Sequence, residues 1–305
     1  MYQYTIIQWL FFFYFYCFFG WVFESTYVSI RKKKFVNRGF MRGPFLPIYG
    51  SGGIMMLLVS MPFQEHVILT YIAGCIGATV LEFVTGMGME ALFKVRYWDY
   101  SDQKFNYKGH ICLSSTLAWG FLTIFMTEFL HRAVERVVFA LPESVVTVTT
   151  VAVSCIMLVD MTLSVKAAID LRDLLIALEK AKEEMERIQK RLDVIVAVAN
   201  DEIENRRAER SMKIDELMED IEERFHSFKE HMKLEPSAFM EEVREEIQEL
   251  KTKYLVEKEH RQRFKKIRSL YQKSLLKGNP SMRSVRFEEA LEELKKAAAE
   301  KLHKK

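Results

Sequence analysis

Apolar residues come in long blocks along the first half of the chain. Five segments, 4–29, 46–63, 67–93, 111–130 and 144–165, carry almost no charge. Each has about the length a helix needs to cross a bilayer, roughly 17–25 residues. The pattern therefore predicts five membrane spans. The stretch Val145 to Val153 is rich in Val and Thr, which favour strands in water. A lone strand leaves its backbone unbonded in lipid, so a helix is expected there too.

Past residue 165 the pattern changes. Leu171, Leu174, Leu178, Ala181, Met185, Ile188, Leu192, Ile195 and Ala199 alternate three and four apart. That spacing is a heptad seam and predicts a coiled coil. Run backwards, the seam passes Ala167 and Ser164 to Asp160, so the fifth span is expected to continue into it. Glu202 and Arg206 interrupt the register. A second helix is expected over Ile214, Leu217, Ile221, Phe225, Phe228 and Met232, ending at Pro236. A third starts at Ser237, with Phe239, Val243, Ile247, Leu250 and Tyr254 as its stripe. Gly278-Asn279-Pro280 is a stop, and a short last helix uses Phe287, Leu291 and Leu294. The fold class is all-α: a polytopic bundle over residues 1–165, then a coiled-coil and helical tail over 166–305. A parallel homodimer through the seam is favoured over a hairpin folded on itself, although the spacing alone suits both.

Composition sharpens the division. Residues 166–305 hold 32 of the 44 Lys+Arg and 31 of the 41 Asp+Glu. The tail is thus nearly neutral, and no basic surface for nucleic acid is expected. The first segment lacks a basic start and a small-residue cleavage site, so it is read as a span rather than a signal peptide. Cys17, Cys75, Cys112 and Cys155 all fall in apolar segments and are expected to be reduced, buried thiols. No GxxxxGK[ST], GxSxG or HExxH occurs, so no ATP loop, cofactor or metal site is expected. His226 and His231 lie in a charged helix and are read as solvated surface.

Charge also predicts orientation. Arg31, Lys32, Lys33, Lys34, Arg38 and Arg42 follow the first span, and Lys94, Arg96, Lys104 and Lys108 follow the third. The link Pro62 to His66 has no Lys or Arg. Basic links stay in the cytoplasm. The N-terminus is then outside, and both basic links and the tail are cytoplasmic. Arg132 and Arg136 run against this weakly, but Glu128 and Glu135 lie at helical spacing to pair with them.

Acids inside a membrane segment normally face protein or water. Glu24, Glu82, Glu90, Glu128 and Asp160 lie in or beside spans. In the third span Gly74, Ala78, Glu82, Gly86 and Glu90 recur every four residues, a small-residue face that lets a neighbour approach. Either hydroxyls, Arg38, Arg42 or His110 cap these acids, or Glu24, Glu82 and Asp160 mark a polar cavity. In the predicted topology spans two and four both begin on the cytoplasmic side, where helix N-termini carry partial positive charge. Arg38, Arg42, Lys108 and His110 lie just before them, with Asn106 nearby. Together they are candidates for binding an anionic group, against the simpler reading that they only touch anionic lipid. In the run NRGFMRGPFLPIYGSGG, residues 37–53, Gly39, Gly43, Pro44, Pro47 and Gly50 are read as shaping the return into the membrane.

That run, together with YWDYS, FNYKGHICL and Trp119-Gly120, resembles the bacterial membrane family of putative ABC-transporter type IV (CmpB-like) proteins. The ending KGNPSMRSVRFEEALEELK resembles the tails of that family. The resemblance implies a permease component in the bacterial cytoplasmic (inner) membrane that works with a separate nucleotide-binding subunit. The leading expectation is a permease-like component with a cytoplasm-facing, anion-attracting cavity. One alternative is a membrane enzyme acting on a lipid or phosphorylated substrate, with Glu24 or His110 as acid/base. The other is a membrane-anchored scaffold or sensor acting through its tail.

Overall fold

The computed structural model describes residues 3–199, 218–223, 225–226, 238–266 and 270–300. The expected positions Ile214, Leu217, Phe228, Met232, Pro236, Ser237, His231, Glu202 and Arg206 lie outside the described residues. Helix dominates. Among the described residues the exception is a hairpin of two short strands, β1 (Asn106–Tyr107) and β2 (Ile111–Cys112), in which Asn106 faces Cys112 and Tyr107 faces Ile111.

Helix α1 runs Ile6–Lys32 and starts with a reciprocal cap. The Thr5 hydroxyl accepts from the Gln8 N–H at 3.3 Å, and the Gln8 side chain accepts from the Thr5 N–H at 2.9 Å. This satisfies two donors that a helix start leaves open. Helix α2 covers Pro47–Ser60, with Pro at its first position, where no backbone N–H is needed. A 3-10 turn, Met61–Phe63, follows. Helix α3 is Val67–Phe93. Helix α4 (Leu113–Phe125) passes through a π turn, Met126–Leu130, into α5 (His131–Ala140). Helix α6 is continuous from Glu143 to Ala199, so the last apolar segment does run on into the heptad seam without a break.

Among the described residues, four helical stretches are long and apolar enough to cross a membrane: Ile6–Lys32, Val67–Phe93, Leu113–Ala140 and Glu143–Ile195. The sequence led us to expect five. At 14 residues α2 is about 21 Å long at 1.5 Å per residue, short of the roughly 30 Å hydrocarbon core. Its extended lead-in at Leu46 and the 3-10 turn at its end take up the remainder of the apolar segment. Only about a fifth of each long stretch is buried within the protein. Phe23 and Ile30 of α1, Ile68 and Ile76 of α3, Phe121 and Phe129 of the α4–α5 stretch, and Leu158 of α6 all point outward. Such apolar girdles fit lipid rather than water.

The chain forms two compact units, residues 1–172 with 269–305, and residues 173–268. The C-terminal segment thus groups with the apolar helices rather than with the rest of the tail. In the first unit, α1 and α2 approach closely because glycine faces each helix. A Cβ on Gly50 would lie 2.4 Å from the Cys17 sulfur and 2.7 Å from the Phe13 carbonyl. Helix α3 buries Thr70, Gly74, Ala78, Glu82, Gly86 and Phe93; the expected stripe is buried from Gly74 to Gly86, whereas Glu90 is only half-buried. Helix α7 (Ala238–Lys266) belongs to the second unit, whereas α8 (Leu270–Gly278) and α9 (Glu288–Glu300) belong to the first.

In the second unit the seam is covered by the chain itself. Met185, Ile188, Leu192 and Ile195 pack in one core with Ile221, Phe225, Ile247 and Tyr254. The Tyr254 hydroxyl donates to Glu222 at 3.1 Å, and Gln189 donates to Asp220 at 2.8 Å. The lower half of the seam therefore finds its apolar partners within one chain.

Candidate functional site

The polar groups of the first unit gather where the α1–α2 link, the α3–α4 link and the C-terminal segment meet. Glu24, on α1, accepts from Arg38 Nε at 3.3 Å and from the Tyr49 hydroxyl at 3.0 Å. Arg38 then reaches across the chain. Nη1 donates to the Gly278 carbonyl at 3.3 Å and to Asn279 Oδ1 at 3.0 Å, and Nη2 donates to the Ser281 hydroxyl at 3.3 Å. Asn279 is buried and donates to the carbonyls of Gly39, at 2.8 Å, and Leu275, at 2.9 Å. Gly278 is required by space, since a Cβ there would sit 2.4 Å from the Asn37 carbonyl.

The same segment also closes on the α3–α4 link. The backbones of Arg96 and Arg283 exchange two hydrogen bonds, at 2.7 and 3.0 Å. The Ser284 hydroxyl donates to the Lys94 carbonyl at 2.7 Å. The stretch 278–284 is therefore bonded to both basic links at once.

Glu82 sits deeper, at 5% exposure. It accepts from the Tyr100 hydroxyl at 3.0 Å, Trp119 Nε1 at 2.9 Å and the Ser115 hydroxyl at 3.3 Å. Three donors on one carboxylate offset much of the cost of burying it. The Tyr100 phenol is pushed well up by burial and by the Glu82 carboxylate, and it also feels Tyr49.

A third group lies on the α3–α4 link. Glu90 pairs with Arg96 at 2.9 Å and with His110 Nε2 at 3.0 Å. Burial holds the His110 imidazole below its ordinary value, against the pull of Glu90. Burial opposes ionisation of Asp99, but the Ser101 hydroxyl and N–H, Arg96 and Arg283 outweigh it and hold the carboxyl below the usual range. Against this link a cavity of about 410 Å³ is lined by Asp99, Asp102, Arg283, Glu288, Glu292 and Lys295, among others.

The residues expected at an anion site do not form one cluster. Arg38 joins Glu24. His110 joins Glu90. Arg42 lies 5.3 Å above the Tyr271 ring. Lys108 is exposed, at φ 52°, with its ammonium 5.6 Å from the Tyr107 ring. Asn106 closes its own loop, donating to the Ser101 and Gln103 carbonyls at 3.2 and 2.8 Å and accepting from the Gly109 N–H at 3.2 Å. Asp160 accepts from the Gly43 N–H at 2.8 Å and so ties the α1–α2 link to α6. Gly43 has little spare room, since a Cβ would lie 3.0 Å from that carboxylate. Gly39 has φ 134°, a conformation that favours glycine.

Sequence reasoning missed Tyr49, Tyr100, Trp119 and the whole of 278–284 as partners of these acids. All of them lie in motifs that carry the family resemblance, but no spacing in those motifs points to the acids. Among the described residues no group of three or more His, Cys, Asp or Glu could hold a metal.

No curated protein and no solved structure matches the chain. A family model described as "Putative ABC-transporter type IV" matches residues 11–165. The match takes in Glu24, Arg38, Glu82 and Asp160 and stops short of the C-terminal segment. Covering more than half of the 305 residues, it shows that the chain belongs to this ABC-transporter type IV family of membrane proteins.

Proposed function

We propose that the protein is a permease-like membrane component whose polar site lies between its two basic links and takes an anionic group at Arg38. One observation carries this reading. Arg38 is a guanidinium anchored on a membrane acid, and its remaining donors are held by neutral oxygens of a separate segment. An anion is a better acceptor for those donors than a carbonyl or hydroxyl. The stretch 278–284 is then an internal occupant that a substrate displaces, and Glu82 with its three donors holds the floor of the site.

The basic links and the tail lie on the cytoplasmic side in this reading, by the positive-inside rule. The protein lies in a bacterial inner membrane in this reading, and the ABC-transporter family supports a separate nucleotide-binding subunit. A homodimer in this reading uses surfaces other than the lower seam, which is already covered within the chain.

The test is binding to the full chain in lipid nanodiscs, with inorganic phosphate and glycerol phosphate as probes. Binding should be lost in Arg38→Gln and strengthened in Asn279→Ala, which weakens the internal occupant. Equal binding, or none, in wild type and both variants would sink the reading.

A further inference from the structure

A second polar group lies at the other end of α1. Tyr4 precedes the helix and folds back over Phe12, with ring centroids 5.0 Å apart. His131 opens α5 directly after the π turn and is fully buried. Turns of this kind recur at functional sites. The Tyr16 hydroxyl is 2.7 Å from Nδ1 of His131, and the Tyr4 hydroxyl is 3.0 Å from Nε2. The Tyr4 hydroxyl in turn donates to Glu135, one helical turn beyond His131.

These contacts have one consistent direction. A hydroxyl has a single proton, and that of Tyr4 goes to Glu135. Tyr4 must then accept from Nε2–H. A neutral imidazole carries only one N–H, so Nδ1 accepts from Tyr16. The four groups form a directed chain from Tyr16 to the Glu135 carboxylate. Tyr16 lies in the apolar core with Met56, Leu57 and Met126, and Val146 of α6 joins the same cluster. Glu135 is half-buried towards the end of the stretch. Among the described residues, the other charges at this end of the helices include Glu128 and Arg132, paired at 2.6 Å with the arginine 60% exposed, and the exposed Arg136 and Glu143.

We propose that Tyr16, His131, Tyr4 and Glu135 form a proton-transfer relay between the bundle interior and this end of the helices. When an acid entering from the bundle interior, hydronium or a protonated ligand, gives its proton to the Tyr16 oxygen, the Tyr16 proton passes to Nδ1. The Nε2 proton passes to Tyr4, and the Tyr4 proton passes to Glu135. One proton enters, the carboxylate becomes a carboxylic acid, and the imidazole stays neutral with its proton on the other nitrogen. The reverse sequence returns the proton to Tyr16. Each pass therefore switches the histidine tautomer. The relay stands apart from the Arg38 site and does not depend on it.

The experiment is nitrogen NMR of the full chain in lipid bilayers, with labelled histidine. The His131 signal is identified by its loss in His131→Gln. Wild type should show the Nε2–H form at neutral pH and convert to the Nδ1–H form as the pH is lowered. Tyr4→Phe keeps the ring packing but removes the link, so the conversion should vanish. An Nε2–H form at every pH, direct passage to the doubly protonated ring, or a conversion that survives Tyr4→Phe would overturn the relay.

Discussion

Glu24 and Glu82 are the same side chain, placed towards the same end of the bundle, yet they are satisfied in different ways. Glu82 takes three neutral donors, all from the α3–α4 link and α4, and is almost fully buried. Glu24 takes a tyrosine and an arginine, and that arginine is shared with the C-terminal segment. Glu82 is locked within the bundle. Glu24 is coupled, through Arg38, to a segment that arrives from about 240 residues away in sequence. A membrane acid is therefore better judged by whether its partners can leave than by its depth.

The strongest test of the contrast is Glu82→Ala. It strands the donors of Tyr100, Ser115 and Trp119. At about 1–3 kcal/mol for each buried group left unmade, the bundle should lose several kcal/mol, read as a marked fall in thermal unfolding temperature in detergent. Arg38→Ala should cost less, about 2 kcal/mol, because bonds to a charged group are worth roughly 1.5–3 and this one is partly exposed. The loss should appear as faster protease cleavage within 278–287, with bundle unfolding little changed. If both variants unfold the bundle alike, the distinction fails.

Gly278→Ala sharpens the same point without touching a charge. Its Cβ meets the Asn37 carbonyl at 2.4 Å, and overpacking of this kind costs about 1–3 kcal/mol. Cleavage of the C-terminal segment should rise while the Glu24–Arg38 pair persists. Acid should act more gradually. Both His110 and Asp99 sit below their ordinary values in the fold. Their contribution is thus complete above the ordinary value and is lost as pH falls through the folded one. Hydrogen-exchange protection factors over 94–112, taken relative to the intrinsic rate at each pH, should fall below about pH 6.5 for His110 and again below 3.8 for Asp99. The smallest effect is expected from Asn106→Ala. It removes contacts of an exposed loop residue, about 1 kcal/mol by the usual worth of such bonds, seen as local exchange in the hairpin and nowhere else.

Much of the first unit was legible in the chain. The four-residue recurrence of Gly74, Ala78, Glu82 and Gly86 named the buried face of α3, because a helix returns to the same side about every four residues. The capping of membrane acids by hydroxyls and by Arg38 was one of the two readings the residues allowed, since an unpaired carboxylate in lipid is too costly to persist. The clustering of Arg38, Arg42, Lys108 and His110 was read from their common place before two spans. Proximity to a helix start does not say which way a long side chain turns, and Arg42 and His110 turned to Tyr271 and Glu90 instead.

The sequence by itself determined the long apolar helices of the first unit and the continuity of α6 into the seam, both of which follow from local periodicity. Tertiary structure alone decided what covers the seam, since a heptad stripe is equally served by a second chain or by the chain's own return. It also decided that 278–284 closes over Arg38, and that Tyr4 and Tyr16 meet on one histidine. These are pairings between distant residues with no shared period, and only the fold brings such groups within hydrogen-bond distance.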